Sequence, residues 1–473
     1  MSKERVHILG ICGTFMGGLA LLGKEQGLEI SGCDLNIYPP MSDHLHEMGI
    51  DISEGYDPSK LPEADCYVIG NSISRGNPAL EFLLSKKANL ISGPDWLYKT
   101  VLKNKRVIAV SGTHGKTTTT AMIAWIFEDH NIDVGYLIAG KPKDFEKSAR
   151  LGEQDIFVIE ADEYDTAFFD KRSKFIHYKP DTLIINNLEF DHGDIFPDLS
   201  FIFREFHHLI RILNEEAQII FPTDDLNIAK VLNMGCWSKL ISYGVDGNHE
   251  NAISLKDPTN ITFTIKDETG DLDWDMYGEH NARNAMAAAL AVNQYGISLE
   301  SALVSLRNFS GVSKRQDILI NSERLLLIED FAHHPTAIKT TLEGIKQKYP
   351  TRRLVAVIEL RSNTMKSGYH DDHLIESVSL ADEVFWKSED FEQVEGLVSK
   401  KKSNSKQIIN VDSFIEDFDS ISSPGDIFII ISSSGNSDNI YKLAKWARNK
   451  KFKIISFTGF KGGRLKKLSN INI

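Results

Sequence analysis

The stretch RVIAVSGTHGKTTTT, residues 106–120, decides the fold of this chain. Its apolar run Val107–Val110 predicts a buried parallel strand, and Gly112 and Gly115 predict a turn into a helix that opens at Lys116. In such a strand–loop–helix, backbone N–H groups converge on nucleotide phosphates, the lysine reaches the terminal phosphates, and the next hydroxyl ligates Mg²⁺. The strict pattern G-x-x-x-x-G-K-[ST] requires a glycine at the position where this chain has Val110. The alternative interpretation is a glycine–lysine–threonine turn that occurs by chance and binds no phosphate.

Composition sets the broad class of the protein. The chain has 473 residues, which predicts about three domains, and 42% hydrophobic with 25% charged residues is ordinary for a soluble globular protein. A net charge of −13 argues against a nucleic-acid-binding surface. The sequence contains no apolar run of about 18 residues, so we expect no transmembrane helix. The N-terminus MSKERVHILG leads into a predicted strand and lacks the apolar core of a signal peptide.

The cysteines are few and have no metal-binding spacing. Four are present, with no C-x-x-C pair among them. We therefore expect a reduced, cytoplasmic chain without disulfides or a zinc site, and without nucleic-acid or membrane partners.

Strand-like runs alternate with helical patterns along the chain, which predicts an α/β fold with parallel sheets. We expect three domains: a Rossmann-like domain over residues 1–105, a central P-loop ATPase domain over 106–310, and a Rossmann-like C-terminal domain over 311–473. The boundaries are placed at the basic run Lys103–Lys105 and at Gly311–Arg315, which reads GVSKR.

The first segment opens with a glycine-rich turn after the predicted strand Val6–Leu9. A helix near Leu19–Gly27 and a strand that ends at Asp34 follow. The dinucleotide pattern G-x-G-x-x-G is not met, because Cys12 and Phe15 replace two glycines. We interpret the turn as a loop that accepts a diphosphate on a helix N-terminus; glycines used only for close packing are the alternative.

Acidic side chains follow two predicted strands of the central segment. EADEYD, residues 160–165, follows the run 155–159, and NNLEFDH, residues 186–192, follows the run 182–185. Carboxylates at strand ends beside a phosphate loop suit Mg²⁺, which prefers oxygen ligands. A solvated acidic loop is the alternative. Further on, GEHNARN, residues 278–284, opens an alanine-rich helix.

Two loops of the third segment carry polar residues after predicted strands. The strand Leu325–Ile328 ends at EDFAHHP, where Pro335 suits the first turn of the next helix. The strand Leu354–Ile358 ends at ELRSNTMK. This basic loop suits a carboxylate-bearing substrate, and a solvated loop is equally compatible with the sequence.

Taken together and in order, GTHGKTTT, EADEYD, NNLEFDH, GEHNARN and EDFAHHP resemble the motifs of the ATP-dependent Mur ligases, which build the peptide of peptidoglycan precursors. GICGTFMGG, DLNIYPPMS, GNSISRGNP, FFDKRSKF and RSNTMK resemble, more narrowly, the branch of murein peptide ligases. The likeness covers roughly residues 5–430.

The resemblance implies ATP and Mg²⁺ as cofactors and acyl-phosphate chemistry. The carboxylate of UDP-N-acetylmuramate would attack the γ-phosphate of ATP, and the amine of the tripeptide L-Ala-γ-D-Glu-meso-diaminopimelate would attack the acyl phosphate, in peptidoglycan recycling. We expect a monomer or weak dimer. The alternatives are a UDP-N-acetylmuramate–L-alanine ligase and a phosphosugar-binding protein that does not ligate.

The resemblance also implies site residues. It assigns ATP binding to Gly112, Thr113, His114, Gly115, Lys116, Thr117, Asn281, Asn284, Arg315 and Asp330. It assigns the metal to Thr117, Glu160 and His192, and catalysis to Lys116, Glu160, His192 and Arg315. It assigns the UDP-sugar to Gly13, Thr14, Phe15, Met16, Asp34, Asn71 and Ser72, and the tripeptide to His333, His334, Arg361, Asn363 and Lys366.

Two departures from the family pattern stand out. Several relatives carry a carbamylated lysine on the helix after the NN…DH motif, whereas this chain has Phe206 near that place and no lysine. Residues 424–473 resemble part of a sugar-isomerase domain of the phosphoheptose isomerase type, with SSSGNS at 432–437 and FTGFKGG at 457–463. These residues could bind a phosphosugar, or could replace a ligase loop and its helix.

Overall fold

The computed structural model describes residues 3–37, 41–191, 193, 195–255, 260–323, 326–360, 363–388, 390–400, 405–407, 427–432, 438–458 and 463–472. The chain forms two compact units, Met1–Thr351 and Arg352–Ile473. In the described part of the chain, no helix combines the length and the apolar character that crossing a membrane requires.

The first unit opens with a five-stranded parallel sheet flanked by helices. Its strands are β1 (Arg5–Leu9), β2 (Glu29–Asp34), β3 (Asp51–Glu54), β4 (Cys66–Ile69) and β5 (Leu90–Ser92), in the order β3-β2-β1-β4-β5. Its helices are α1 (Thr14–Glu25), α2 (Met41–Glu47), α3 (Pro78–Ser85) and α4 (Gly93–Thr100). The sheet is the predicted Rossmann-like arrangement, with β1 at its centre.

Helix α1 starts earlier than the sequence predicted. It begins at Thr14, directly after the turn, so Gly18 lies inside the helix. A Cβ on Gly18 would lie 2.3 Å from Leu137 Cδ1, which belongs to the next sheet. Close packing, the alternative considered for the glycines of this segment, is therefore the role of Gly18.

A ten-stranded sheet follows, with the phosphate-loop strand near its middle. Its strands are β6 (Arg106–Ser111), β7 (Gly135–Leu137), β8 (Ala149–Arg150), β9 (Ile156–Glu160), β10 (Thr182–Ile185), β11 (Gln218–Pro222), β12 (Lys239–Val245), β13 (Asn251–Leu255), β14 (Asn260–Ile265) and β15 (Glu268–Asp273). Their order is β15-β14-β13-β12-β11-β10-β6-β9-β7-β8. Both neighbours of β6 are parallel to it, so three strands deliver their carboxyl ends to one edge.

Helices cover both faces of this sheet. They are α5 (Lys116–Asp129), α6 (Leu199–Arg211), α7 (Leu226–Asn233), α8 (Glu279–Asn293) and α9 (Leu299–Arg307). Alternate residues of β6 face two different cores: Val107 joins the cluster that also holds Val6 and Leu19, whereas Ile108 joins the cluster around α5 and α8. The continuous apolar run is thus explained, because a strand buried on both faces has no polar side.

A hairpin and a helix complete the first unit. The hairpin pairs β16 (Asp317–Asn321) with β17 (Leu326–Glu329), and α10 (Pro335–Lys348) follows. Pro335 occupies the first turn, as predicted, and His334 caps the helix by accepting from the Thr336 N–H. These elements lie within the unit Met1–Thr351, and the domain boundaries at 105/106 and 310/311 stay predictions.

The second unit holds two three-stranded parallel sheets. One contains β18 (Val355–Glu359), β19 (Glu383–Lys387) and β20 (Ser405–Gln407), and the other contains β21 (Ile427–Ser432), β22 (Lys453–Thr458) and β23 (Ile471–Asn472). The helices are α11 (Asn363–Lys366), α12 (Asp371–Ser377), α13 (Phe391–Lys400) and α14 (Asp438–Asn449). In the described residues of both units, short 3-10 helices lie at Pro58–Lys60, Leu102–Asn104, Lys174–His177 and Leu465–Lys467.

Candidate active site

The turn after β6 has a backbone that only glycine suits. Gly112 and Gly115 have φ of +119° and +81°, in the region that side chains disfavour. A Cβ on Gly115 would lie 2.4 Å from Asn284 Oδ1, and one on Gly112 would lie 2.9 Å from the Asn187 carbonyl oxygen. The loop is therefore pressed against two neighbouring segments, β10 with its following loop and α8.

Lys116 is buried and already surrounded by oxygen atoms. Its ammonium donates to the Gly112 carbonyl at 2.7 Å and to Glu163 Oε2 at 3.4 Å, and it lies 3.8 Å from Asp162 Oδ1. Burial alone would lower the pKa of this ammonium, but the charges of Glu163, Asp162 and Glu160 raise it above its ordinary value. Lys116 is thus held as a cation at the turn, ready to exchange these partners for phosphate oxygens.

Thr117 and Glu160 form an oxygen-rich pair beside that lysine. The Thr117 hydroxyl donates to Glu160 Oε1 at 2.9 Å, and the Ala139 N–H donates to Glu160 Oε2 at 3.0 Å. Burial and the neighbouring charge of Asp162 raise the pKa of Glu160. A carboxylate held in this surrounding is stabilised by a cation, and a hydroxyl with carboxylates is the donor set that Mg²⁺ prefers.

Two asparagines brace the loop in a way that the sequence analysis missed. Asn187 Oδ1 accepts from the His114 N–H at 2.8 Å, and Asn186 Nδ2 donates to the Thr119 hydroxyl at 3.1 Å. Both follow β10 in the motif that was assigned only to metal binding. The doubled asparagine at the end of an apolar strand was the available signal, because buried amides must find partners.

Asn284 and Asn281 lie on α8, on the side that faces the loop. Asn284 Oδ1 accepts from the Thr119 hydroxyl at 3.1 Å, and Asn281 Nδ2 donates to Gln316 Oε1 at 3.1 Å. Asn284 thus supports the loop helix, and Asn281 connects α8 to Gln316, the residue that follows GVSKR. The assignment of both residues to the nucleotide stays a prediction.

Glu189 joins the phosphate loop to the start of α10. Glu189 Oε2 accepts from the Thr336 hydroxyl at 2.7 Å and lies 3.5 Å from His114 Nε2 and 3.2 Å from His334 Nδ1. Burial would raise the pKa of Glu189, but the hydrogen bond and charge of His114, with the Thr336 bond, lower it to about 2. One ligand atom from each of His114, Glu189 and His334 lies within 4.8 Å of the others, so this group could hold a metal ion.

Arg315 and Asp330 lie on the two sides of the β16–β17 hairpin. The Arg315 guanidinium lies 4.9 Å from the centre of the Phe331 ring. Asp330 accepts from the Gln316 N–H at 2.8 Å and from the Ala332 N–H at 2.8 Å, which fixes both ends of the hairpin. Asp330 thus has a structural role besides the predicted nucleotide contact, and neither assignment to ATP is tested by these distances.

A cavity of about 180 Å³ lies beside the first glycine turn. Its lining residues are Gly13, Thr14, Phe15, Met16, Ile69, Asn71, Gly93, Pro94, Thr166, Ala167 and Lys174. Five of the residues predicted to bind the UDP-sugar line it. Asp34 and Ser72 are not among the lining residues, and the Asp34 carboxylate instead accepts from the Cys12 N–H at 2.9 Å and the Asn36 N–H at 3.1 Å.

Comparison with known proteins gives matches along most of the chain. The family descriptions "Mur ligase family, catalytic domain", "Mur ligase middle domain" and "Mur ligase, glutamate ligase domain" match residues 5–104, 110–292 and 314–434. A ligase of Escherichia coli K12, named for UDP-N-acetylmuramate and L-alanyl-γ-D-glutamyl-meso-2,6-diaminoheptandioate, is 48% identical over 384 residues, which are 80% of this chain and 84% of that protein. The chain belongs to the Mur ligase family. It is an ATP-dependent ligase that forms amide bonds, with the three-domain α/β architecture of that family.

Solved structures agree with this Mur ligase assignment. A murein peptide ligase from Psychrobacter arcticus 273-4 is 37% identical, with a TM-score of 0.72 and 99% of both chains covered. A UDP-N-acetylmuramate–alanine ligase from Thermotoga maritima has a TM-score of 0.71 at 18% identity, over 98% of this chain and 97% of that one. The second likeness supports the fold alone.

The assignment of the remaining predicted residues of this Mur ligase stays a prediction. His192 and Arg361 lie outside the described residues, as do residues 433–437 and 459–462 of the isomerase-like motifs. Asn363 and Lys366 lie on α11 of the second unit, and Lys366 is exposed there. His333 lies in the first unit, where its Nδ1 is 2.8 Å from the Phe331 carbonyl and burial lowers the pKa of its ring.

Proposed function

We propose that this Mur ligase joins UDP-N-acetylmuramate to the tripeptide L-Ala-γ-D-Glu-meso-diaminopimelate at the expense of ATP, in peptidoglycan recycling. The observation that carries the proposal is the 48% identity to the Escherichia coli ligase named for these substrates. The arrangement of a charged phosphate loop beside a cavity in the same unit supports it. The reaction is proposed to take place in the cytoplasm, and the chain is proposed to act as a monomer or weak dimer.

ATP would bind at the turn after β6. The backbone N–H groups that open α5 would face the phosphates, and the Lys116 ammonium would leave the Gly112 carbonyl for a terminal phosphate oxygen. The hydrogen bonds of Asn187 to the His114 N–H and of Asn186 to the Thr119 hydroxyl fix the conformation of the loop before the nucleotide binds. Such preorganisation matters, because phosphoryl transfer depends mainly on positioning and charge neutralisation.

Thr117 and Glu160 would hold one Mg²⁺, and His192 is proposed to hold a second. The described part of this set fits the ion, because the Thr117 hydroxyl and a carboxylate oxygen already lie 2.9 Å apart and Asp162 raises the local negative charge. When bound, Mg²⁺ would supply positive charge that offsets the negative charge of the phosphates. With Phe206 buried on α6, the chain is proposed to manage without a carbamylated lysine.

The chemistry would proceed in two balanced steps. A carboxylate oxygen of UDP-N-acetylmuramate forms a bond to the γ-phosphorus, and the bond from that phosphorus to the β-bridging oxygen breaks to release ADP. The free amine of the tripeptide then forms a bond to the carbonyl carbon, phosphate leaves with the former carboxylate oxygen, and the amine loses a proton. Lys116 and Arg315 are proposed to offset the charge on the transferred phosphate.

The two substrates would enter from different parts of the chain. The UDP-sugar is proposed to bind in the cavity beside α1, through Gly13, Thr14, Phe15, Met16 and Asn71. The tripeptide is proposed to bind through His333, His334, Arg361, Asn363 and Lys366. The domain over 1–105 would bind the UDP-sugar, the domain over 106–310 would bind ATP, and the domain over 311–473 would bind the tripeptide.

The test is phosphate release from ATP with UDP-N-acetylmuramate and either the tripeptide or L-alanine. We expect release and an amide product with the tripeptide only. Release with L-alanine alone would instead favour a UDP-N-acetylmuramate–L-alanine ligase, the activity named for a Clostridium acetobutylicum relative that is 28% identical over 456 residues. Tight binding of sedoheptulose phosphate without turnover of any peptide would favour a phosphosugar-binding protein.

A further inference from the structure

Lys174 is a buried lysine on the wall of the cavity beside α1. Its relative exposure is 9%. It opens the 3-10 helix Lys174–His177, and its N–H donates to the Tyr164 carbonyl at 2.8 Å, next to the bridge between Asp165 and Ser173. The backbone that carries the side chain is therefore fixed to the EADEYD segment, which also supplies the carboxylates of the phosphate loop.

The Lys174 ammonium is poorly compensated. It lies 5.1 Å from the centre of the Phe15 ring and 5.5 Å from that of Tyr164, and its distance to Asp162 Oδ2 is 4.0 Å. Among the residues described here, none makes a hydrogen bond to this ammonium. An ammonium has three donors, and burying its charge is costly unless an anion or acceptors meet it. The cavity wall thus offers a cation that lacks a close partner.

Asp162 places this cation next to the phosphate loop. Asp162 Oδ2 faces Lys174, and Asp162 Oδ1 lies 3.8 Å from the Lys116 ammonium. The two lysines therefore flank one carboxylate, with the cavity on one side and the turn after β6 on the other. The first step of the reaction brings a carboxylate against a phosphate, and two anions approach each other at low cost only where cations are fixed.

We propose that Lys174 binds the carboxylate of the N-acetylmuramate residue and presents it to the γ-phosphate, an inference that rests on the proposed function. The first-turn residues Thr14, Phe15 and Met16 of α1 line the same cavity, and the N-terminus of a helix suits the diphosphate of the nucleotide. The Lys174 ammonium, beside Asp162, is then available to bind the carboxylate of the N-acetylmuramate residue. On binding, Lys174 exchanges a 4.0 Å contact for a direct charge-assisted hydrogen bond.

Two nucleotides that differ in the carboxylate test this assignment. The binding of UDP-N-acetylmuramate and of UDP-N-acetylglucosamine, which lacks the lactyl carboxylate, is measured by calorimetry with Lys174→Met, Lys174→Arg and the whole wild-type chain. Lys179→Met is the matched control, because Lys179 also lies over a ring, 4.3 Å from the centre of Tyr98, but does not line the cavity. Steady-state turnover is measured on the same proteins.

Lys174→Met is expected to weaken UDP-N-acetylmuramate binding by roughly 10- to 100-fold and to leave UDP-N-acetylglucosamine binding unchanged. Its KM for UDP-N-acetylmuramate rises and its KM for ATP does not, while Lys174→Arg recovers part of the loss and Lys179→Met resembles the wild type.

Equal weakening of the binding of both nucleotides would overturn the proposal in favour of a diphosphate contact, and no weakening of UDP-N-acetylmuramate binding would overturn it outright. Retained UDP-N-acetylglucosamine binding shows that the variant is folded. If Lys174→Met does not fold, Lys174→Gln, which also removes the charge, takes its place: a selective loss of UDP-N-acetylmuramate binding supports the proposal, and wild-type affinity for both nucleotides contradicts it. A wild-type chain that binds UDP-N-acetylmuramate but turns over no peptide would instead contradict the proposed function.

Discussion

The loop after β6 and the loop after β1 both lead from a buried parallel strand through glycines into a helix, yet their polar groups are arranged in opposite ways. At the loop after β6, Lys116 is enclosed by a carbonyl and three acidic residues. At the loop after β1, Lys174 lies on the wall of a cavity of about 180 Å³; its ammonium is 4.0 Å from Asp162 Oδ2 and makes no hydrogen bond to any residue in the described part of the chain. The comparison teaches that one loop is preorganised internally, whereas the other depends on its ligand to complete its contacts.

The largest effect is expected at the preorganised loop. Lys116→Met removes the cation from the turn, and turnover of ATP should fall about 1000-fold, because the charge on the transferred phosphate is then less well neutralised. Phosphate release at saturating substrates measures it. Lys171→Met, at an exposed lysine paired with Asp165, is the control and should keep wild-type turnover. Turnover of Lys116→Met within tenfold of the wild type would contradict the assignment.

The backbone of the same loop should be nearly as sensitive. In Gly115→Ala the new Cβ would meet Asn284 Oδ1 at 2.4 Å at a φ of +81°. We expect turnover to be about 100-fold lower, because small displacements of reacting groups are costly. The free energy of unfolding, measured in urea, should be lower by about 2–4 kcal/mol.

Gly27→Ala separates strain from contact in that experiment. Gly27 has a φ of +82°, and a Cβ there would meet nothing within 4 Å. Its loss of unfolding free energy should be about 1–2 kcal/mol, with unchanged turnover. Equal effects of the two substitutions on turnover would show that the contact with α8 does not matter.

The open loop should respond to single contacts by smaller amounts. Asn71 lines the cavity and its neighbour Ser72 does not, although both are exposed and both were predicted to bind the sugar nucleotide. Asn71→Ala should raise the KM for UDP-N-acetylmuramate about tenfold, the value of one hydrogen bond, with the KM for ATP unchanged. Ser72→Ala is the matched control, and an equal rise in that variant would show that the cavity does not hold the nucleotide.

The last effect concerns the dependence of stability on pH and the strand before the open loop. Burial lowers the pKa of His7, on β1, to about 4. Since the unfolded chain takes up this proton near pH 6.5 and the folded chain only near pH 4, stability falls as pH decreases through that window, by up to about 1.4 kcal/mol per pH unit. His7→Gln should remove this part of the slope in urea unfolding.

His46 provides the comparison for that measurement, because it is exposed and lies on α2, a helix beside the five-stranded sheet that contains β1. His46→Gln should leave the wild-type slope between pH 6.5 and pH 4 in place. An unchanged slope in His7→Gln, or its loss in His46→Gln, would show that buried His7 is not its source.

The sequence allowed the order of strands and helices in the first unit to be predicted closely, because apolar runs buried on both faces leave a strong signal. The strand over 182–185 was predicted with the bounds that the structure has, Thr182–Ile185. The start of α1 was wrong by several residues, since Gly17 and Gly18 suggest a loop when their packing partners are not known. Side-chain roles were harder, because the contacts of Asn186, Glu189 and Lys174 join segments that are far apart in the chain.

The most direct test of the central claim uses UDP-N-acetylmuramate whose carboxylate carries ¹⁸O. If the carboxylate oxygen attacks the γ-phosphorus and phosphate then leaves the carbonyl carbon, the inorganic phosphate released with the tripeptide contains one ¹⁸O atom, visible by ³¹P NMR or mass spectrometry. We predict one ¹⁸O atom in each phosphate formed and the other in the amide carbonyl. Phosphate without ¹⁸O would contradict the account.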